Sequence, residues 1–206
     1  MSEVTAMELA DIIDVNELFA EMYPYVATQV LEAYRLDAGD VLEIGPFAGG
    51  VSIELARRCE QVRVWMGDDF PGLIPYFQRK VDDAALAERI NIQALNKLQL
   101  AFPDGRFDLV VFRGGLFFWE DTRRIIEEAY RVLKSGGLAM VGGGFGASTP
   151  DSIIESISAR SRELNRKLGK RVLNEDALWR VLRDARLDKC STLERRHGLW
   201  VTMRKP

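Results

Sequence analysis

The 206-residue sequence has few of the residues that build metal sites and disulfide frameworks. It contains only two cysteines, Cys59 and Cys190, which lie far apart in the sequence, and one histidine, His197. Two isolated cysteines favour reduced thiols that pack in the protein interior. Two cysteines and one histidine also lack the spacing of a metal-ligand set. We therefore expect no metal site and a reducing compartment.

An excess of charge and long apolar runs are also missing. The chain carries 28 Lys and Arg against 31 Asp and Glu, a net charge of −3, so it has no basic footprint for nucleic acid. Its apolar runs are far shorter than the roughly 20 residues that cross a bilayer. The N-terminus, MSEVTAMELADIID, lacks the basic start and apolar centre of a signal peptide. We expect a cytoplasmic protein without nucleic-acid or membrane partners.

The length and the 47% hydrophobic content suit one globular domain over residues 1–206. Within it we expect an N-terminal helical cap (1–36) and a core of alternating strands and helices (37–206). Apolar spacing from Met7 to Leu36, interrupted at Pro24, predicts two helices in the cap. No repeat, linker or low-complexity tract divides the chain.

The core pattern predicts an α/β fold, a doubly wound, mostly parallel seven-stranded sheet with an antiparallel C-terminal strand. The glycines of the KSGG segment (134–137) are expected to cap a helix, and GGGFG (142–146) is expected to form a loop. Asn174 is predicted as a helix N-cap. The predicted strands are 41–44, 61–66, 90–94, 107–112, 138–141, 188–194 and 199–203, and the predicted helices of the core are 51–58, 76–87, 122–133, 151–168 and 175–185.

The segment VLEIGPFAGG (41–50) is the most informative stretch of the chain. A short apolar strand runs into a glycine-rich turn, where a ligand can approach the backbone and the N-terminus of the next helix. Glu43 is unusual here, because a carboxylate in a buried strand needs a partner such as a cationic or donating ligand. Phe47 replaces the second glycine of a dinucleotide-binding turn. Together with Glu43, it disfavours an NAD-linked oxidoreductase.

A second signal lies further along the chain. The segment FDLVVFRGGLFFWED (107–121) is followed by a helix and then by AYRVLKSGGLAMV (129–141). From Val41 onwards the chain resembles the class I S-adenosylmethionine-dependent methyltransferases. Their first strand reads acid, any residue, G-x-G-x-G, and their fifth strand is commonly entered through LKPGG. Glu43, Gly45 and Gly49 match this pattern, whereas Phe47 and Ser135 depart from it.

The resemblance implies a Rossmann-like methyltransferase fold and S-adenosylmethionine as the cofactor. It assigns no catalytic residue. Two assignments have ordinary alternatives: Asp68 could belong to a solvated turn or helix cap, and Asn96 could be an ordinary loop asparagine. The positions that it implies for the cofactor are Glu43, Gly45, Phe47 and Gly49 for the methionine part, Asp68 for the ribose, Leu95 and Asn96 for the adenine, and Arg113 and Gly114 near the methyl group.

The surroundings of Arg113 leave further alternatives open. Arg113 could pair with a substrate carboxylate or with Glu120 or Asp121. Phe117, Phe118 and Trp119 could wall a pocket or pack the next helix, and packing is favoured for the last two. His197 is predicted to be a turn histidine and not a general base.

Two functions follow from these observations. The leading one is methyl transfer from S-adenosylmethionine to an unidentified, small-molecule acceptor. The alternative is a catalytically degenerate, methyltransferase-like domain that binds a ligand or regulates, because Phe47, Asp68 and Asn96 depart from the family pattern. A homodimer is compatible with the sequence.

Overall fold

A computed structural model describes residues 9–70, 72–118 and 121–206. Seven strands form one sheet in the order β3-β2-β1-β4-β5-β7-β6. The strands are β1 (Ala38–Ile44), β2 (Gln61–Gly67), β3 (Ile90–Gln93), β4 (Phe107–Arg113), β5 (Leu133–Gly144), β6 (Ser191–Glu194) and β7 (Gly198–Arg204). The helices are α1 (Leu9–Leu18), α2 (Tyr23–Ala33), α3 (Gly50–Arg58), α4 (Leu73–Asp83), α5 (Thr122–Arg131), α6 (Asp151–Lys167) and α7 (Glu175–Asp184).

The strand directions confirm the predicted fold class. Strands β3, β2, β1, β4 and β5 pair in parallel, and β7 runs antiparallel to both of its neighbours, β5 and β6. The central strand β1 is buried from Val41 to Ile44. The carboxyl ends of the parallel strands therefore meet along one edge, where this architecture places its ligands.

The N-terminal segment forms two helices, as its periodicity predicts, although Met7 lies outside the described residues. The break between them falls at residues 19–22, where a short 3₁₀ turn spans Ala20–Met22. Pro24 lies in the first turn of α2, where its missing N–H removes no hydrogen bond. Helix α2 packs so closely on α3 that a Cβ atom at Gly50 would overlap the ring of Tyr23.

The KSGG segment differs from its prediction as a helix cap. Helix α5 ends at Arg131, and β5 already begins at Leu133. Gly136 has a φ of +81°, and its N–H donates to the Lys205 carbonyl oxygen at 2.8 Å. The β4–β5 register shifts between Phe107 and Leu109. These glycines therefore form an irregularity within a strand that pairs on both sides.

The GGGFG segment (142–146) also differs from its prediction as a loop, because its first three residues belong to a strand. Gly142, Gly143 and Gly144 extend β5 and pair with Trp200, Leu199 and Gly198 of β7. A Cβ atom at Gly142 would overlap the Leu199 carbonyl oxygen, so the two strands can approach only because glycine is present.

Two other boundaries are corrected. Helix α4 begins at Leu73 and ends at Asp83, because Pro75 fits in its first turn and Ala85 adopts a φ of +55° beyond its end. Residues Asp188–Cys190 form a 3₁₀ turn instead of the start of a strand. Asn174 is confirmed as an N-cap, since its side chain accepts from the Ala177 N–H at 2.8 Å.

A half-buried ion pair holds the segment that follows β3. Glu128 of α5 accepts the Leu100 N–H at 2.8 Å and pairs with Arg131. Arg131 in turn donates to the carbonyl oxygens of Leu100 and Phe102, each at 2.9 Å. The hydrogen bond from Arg131 lowers the pKa of the Glu128 carboxyl. Residues 95–100, which border the predicted adenine position, are therefore anchored to α5.

None of the helices in the described ranges combines the length and the apolar character needed to cross a bilayer.

Replacing Glu128 tests how firmly this anchor holds the fold. Glu128→Gln removes a buried charge-assisted partner, so we expect the free energy of unfolding to fall by about 1–3 kcal/mol at neutral pH. Because the folded pKa is lowered, the contribution of Glu128 is complete above the unfolded value of about 4.3. It is lost as the pH falls through the folded pKa. Urea unfolding of both proteins at several pH values measures this difference.

Glu127→Gln is the matched control, since it removes the neighbouring carboxylate, whose pair with Arg123 lies on the surface of the same helix. It should change stability by roughly 0.5 kcal/mol or less. Equal effects of the two substitutions would contradict the anchoring role of Glu128.

Candidate functional site

Glu43 joins the central strand to the helix that follows it. Its Oε2 atom accepts the backbone N–H groups of Gly49 and Ser52, both at 2.9 Å, at the start of α3. The positive end of a helix compensates a buried carboxylate in this way. Burial nevertheless raises the pKa of Glu43 above its usual value. The second oxygen, Oε1, is buried and makes no close hydrogen bond among the described residues, although the Ser52 side chain lies near enough to oppose the rise in the pKa of this carboxyl.

The glycines of this turn adopt backbone conformations that other residues avoid. Gly45 has a φ of +107°, and Gly49, the N-cap of α3, has a φ of +104°. The Gly45 N–H donates to the Gly67 carbonyl oxygen at 3.0 Å, which continues the pairing of β1 with β2. A Cβ atom at Gly49 would meet Met66 Sδ only at 3.6 Å, an ordinary contact. Gly49 is therefore required for its backbone angle.

Phe47 lies inside the site and is buried. Its ring packs against Gly114, where a Cβ atom would stand 2.6 Å from Phe47 Cδ2. It also packs against Phe118, with the ring centroids 5.1 Å apart. The ring therefore fills the space between the turn after β1 and the end of β4. The resemblance places the methionine part of the cofactor in this region.

Asp68 follows β2 directly and is 1% exposed, so it does not belong to a solvated turn. Its Oδ1 atom accepts the Phe70 N–H at 2.8 Å, and its Oδ2 atom lies 3.1 Å from Lys97 Nζ. Burial raises the pKa of Asp68 to about 6, although the Lys97 ammonium opposes the shift. Lys97 also pairs with Asp69.

The two residues predicted to border the adenine differ in their burial. Leu95 is buried, and its N–H donates to the Asp68 carbonyl oxygen at 3.2 Å. Asn96 is exposed, and its Oδ1 atom accepts the Leu98 N–H at 2.9 Å, as an ordinary loop asparagine does. Sequence reasoning missed Lys97, because a lysine in a polar loop gives no sign that its side chain turns inwards.

Arg113 is the last residue of β4 and is buried among aromatic rings. Its Cζ atom lies 4.3 Å from the ring centroid of Phe19, 5.5 Å from that of Tyr23 and 5.6 Å from that of Phe47. Its NH1 group is 3.4 Å from the Tyr23 hydroxyl oxygen, and its Nε has no hydrogen-bond partner among the residues that the structure describes. The aromatic contacts from α1 and α2 were not predicted.

The other candidates near Arg113 have separate roles. Asp121 accepts the Arg124 N–H at 3.0 Å and caps α5, whereas Trp119 and Glu120 lie outside the described residues. Phe117 is buried and borders a small cavity beside Arg113. His197 lies in the turn before β7 with a φ of +60°.

Comparisons with known proteins point to one family. A family profile described as a methyltransferase domain matches residues 42–141. The ubiquinone/menaquinone biosynthesis C-methyltransferase of Geotalea daltonii is 31% identical over 104 residues, 50% of this chain and 44% of that protein. A chloroplastic 2-methyl-6-phytyl-1,4-hydroquinone methyltransferase of Oryza sativa is 30% identical over 103 residues, 50% of this chain and 28% of that protein. The chain thus spans less than half the length of these curated relatives.

One solved structure covers the whole chain. The crystal structure of a putative S-adenosylmethionine-dependent methyltransferase from Methanococcus maripaludis aligns with 100% of this chain and 97% of that one. The TM-score is 0.78 and the sequence identity is 29%. The domain match, the curated relatives and this structure together support the class I S-adenosylmethionine-dependent methyltransferase family. S-adenosylmethionine is the cofactor that this family implies.

The residues of this methyltransferase-family site fit the cofactor at its two ends. The Oε1 atom of Glu43 is a buried acceptor that makes no close hydrogen bond among the described residues, which suits an ammonium group. The Asp68 carboxylate could accept ribose hydroxyls, provided that Lys97 gives way. The ring of Phe47 fills the space between these two ends. The chain therefore offers acceptors for both ends of the cofactor, and this ring closes the space between them.

The Asp68–Lys97 pair makes a measurable prediction about protonation. In a ¹³C NMR titration, the Asp68 carboxyl should titrate near pH 6 instead of near the ordinary value of about 3.9. Lys97→Met should move the midpoint higher, because burial then acts without the opposing ammonium. The folded protein holds this proton more tightly than the unfolded chain, so ionisation of Asp68 reduces stability. The reduction is absent below about pH 3.9 and complete above the folded pKa.

Asp68→Asn identifies the signal, since it should remove this titration and no other. A wild-type midpoint at or below the ordinary aspartate value would contradict the burial of this carboxylate.

Proposed function

We propose that this chain is a methyltransferase that uses S-adenosylmethionine and acts on a small-molecule acceptor. The observation that carries the proposal is the buried Oε1 atom of Glu43, which makes no close hydrogen bond among the described residues and is held at the start of α3 within the family's glycine-rich turn. A buried carboxylate oxygen without a donor is costly, and a ligand ammonium would offset that cost. The named relatives act in quinone and hydroquinone methylation, which supports a small-molecule acceptor.

The proposed binding roles follow the positions in the fold. Glu43 would accept from the ammonium of the methionine part, beside the backbone of Gly45 and Gly49. Asp68 would accept from the ribose hydroxyls, and Leu95 with Asn96 would border the adenine. The ends of β4 at Arg113 and Gly114 would face the reacting methyl group.

When bound, the cofactor supplies a methyl group activated by its sulfonium. The chain's residues then need to orient the two ligands and exclude water, and no acid or base is required for a nucleophilic acceptor. The rings of Phe47, Phe117 and Phe118 would exclude water from this end of the sheet. The proposal also includes a cytoplasmic location and a single domain over residues 1–206, with residues 1–36 as its cap.

Phe47 gives the sharpest test of this function. Phe47→Gly removes the ring that packs on Gly114 and restores the second glycine of the family pattern. We expect S-adenosylhomocysteine to bind the variant at least about tenfold more tightly than the wild type, a gain of about 1.4 kcal/mol. Loss of a buried aromatic ring should at the same time reduce stability by about 3–5 kcal/mol. Calorimetric titration and thermal unfolding measure the two effects.

Phe102→Gly is the control, because Phe102 packs on Phe107 and does not line the site. It should leave the affinity unchanged. If neither the wild type nor a folded Phe47→Gly variant binds the cofactor product at millimolar concentration, the enzyme proposal is wrong. The degenerate, methyltransferase-like domain would then be the better description.

A further inference from the structure

The small cavity beside Arg113 lies at the ends of β4 and β5, on the side away from β2. We name it the Arg113 pocket. Its volume is about 70 Å³, enough for several waters at roughly 10–15 Å³ each. It is therefore sized for one end of a ligand. Its main lining residues are Phe19, Phe47, Phe117, Phe145, Arg113 and Lys170.

The guanidinium of Arg113 is compensated mainly by the three aromatic rings around it, and no carboxylate among the described residues bonds to it. Arg113 is only 5% exposed, and its Nε has no hydrogen-bond partner within the described ranges, which leave out Glu120. Its hydrogen bond to the Tyr23 hydroxyl is long at 3.4 Å, and that hydroxyl already donates to Asn16 at 2.8 Å. Glu43 interacts electrostatically with Arg113, but its Oε2 atom is committed to the N–H groups of α3. A buried cation in this state calls for an anionic ligand.

The pocket offers a second cation and no acid among its described lining residues. Lys170 is exposed as a residue, yet its Nζ lies 4.7 Å from the ring centroid of Phe117. Desolvation and the charge of Arg113 lower the pKa of Lys170. Two cations therefore face the same small space from its inner end and its rim. Their mutual repulsion would be relieved by a bound anion.

The walls between the two cations are aromatic. Phe47 and Phe117 are almost fully buried, and Phe19 packs against Phe145 with the ring centroids 5.6 Å apart. Flat apolar surfaces of this kind favour a planar apolar group, because offset and edge contacts between rings add to the area that is buried. The pocket therefore suits a ligand that has an aromatic body and a negative group, with the negative group at the inner end of the pocket.

We propose that the Arg113 pocket binds the carboxylate of a small aromatic acid, with the guanidinium of Arg113 as its principal partner. Lys170 adds charge at the rim and draws the anion in. This inference names the acceptor class of the proposed methyltransferase and rests on that function only for the ligand's role as acceptor. Binding of the acid itself requires no cofactor.

Benzoate is the probe, and benzamide is its neutral isostere. Calorimetric titration of the wild-type protein, without cofactor, should give benzoate an affinity at least about tenfold higher than that of benzamide. A charge-assisted hydrogen bond of about 1.5–3 kcal/mol corresponds to roughly this ratio or more. Equal affinities, or no binding of benzoate at millimolar concentration, would overturn the proposal.

Substitutions locate the binding. Arg113→Gln should weaken benzoate binding at least about tenfold and remove the preference over benzamide, whereas Arg113→Lys should keep part of both. Lys170→Gln should weaken it only about two- to threefold, because a rim charge contributes less. Arg57→Gln is the control: Arg57 is exposed on α3, lines a different cavity, and should leave benzoate binding unchanged.

The comparison of benzoate with benzamide needs no variant, so it decides the matter even if Arg113→Gln does not fold. Unchanged benzoate binding in a folded Arg113→Gln protein would overturn the proposal. Failure of the methyltransferase function would appear separately, as an absence of S-adenosylhomocysteine binding while benzoate still binds.

Discussion

The hydrogen bonds from the start of α3 to Glu43 are the constraint on which the site depends. One carboxylate oxygen takes two backbone N–H groups, and so fixes where the helix begins relative to the central strand. Strand β1 lies between β2 and β4, so this junction lies at the centre of the carboxyl edge of the parallel strands. The other oxygen is buried and makes no close hydrogen bond among the described residues. One oxygen of the Glu43 carboxylate therefore has a structural role, and the other is a candidate ligand-binding group.

Much of the fold follows from local patterns. Alternating short apolar runs and helical spacings predict the strands and helices of the sheet, and Asn174 marks the start of α7 because a side-chain cap is a local interaction. The acid and glycines of residues 43–49 likewise place a ligand turn after β1. These features depend on contacts within a few residues, which a single sequence displays.

What could not be predicted depends on contacts between distant segments. Gly136 and Gly137 look like a helix cap, yet Gly136 bonds to Lys205 at the end of β7. Gly142 extends a strand because β7 lies close enough to require a residue without a side chain. Lys97 and the aromatic rings around Arg113 are further examples, since each pairing joins elements that are far apart in sequence. Register and side-chain direction decide these contacts, and local composition does not.

The charges of the site are segregated along the edge of the sheet. Glu43 is the penultimate residue of β1 and Asp68 follows β2, whereas Arg113 ends β4 and Lys170 lines the pocket beyond it. Burial raises the pKa of both acids and lowers that of Lys170, so each side of the site is held in a medium that disfavours its own charge. Ligands of opposite charge would offset the cost of burying charge on both sides of the site. An ammonium-bearing cofactor over β1 and an anionic acceptor beyond β4 would therefore be oriented by the same field, with Phe47 between them.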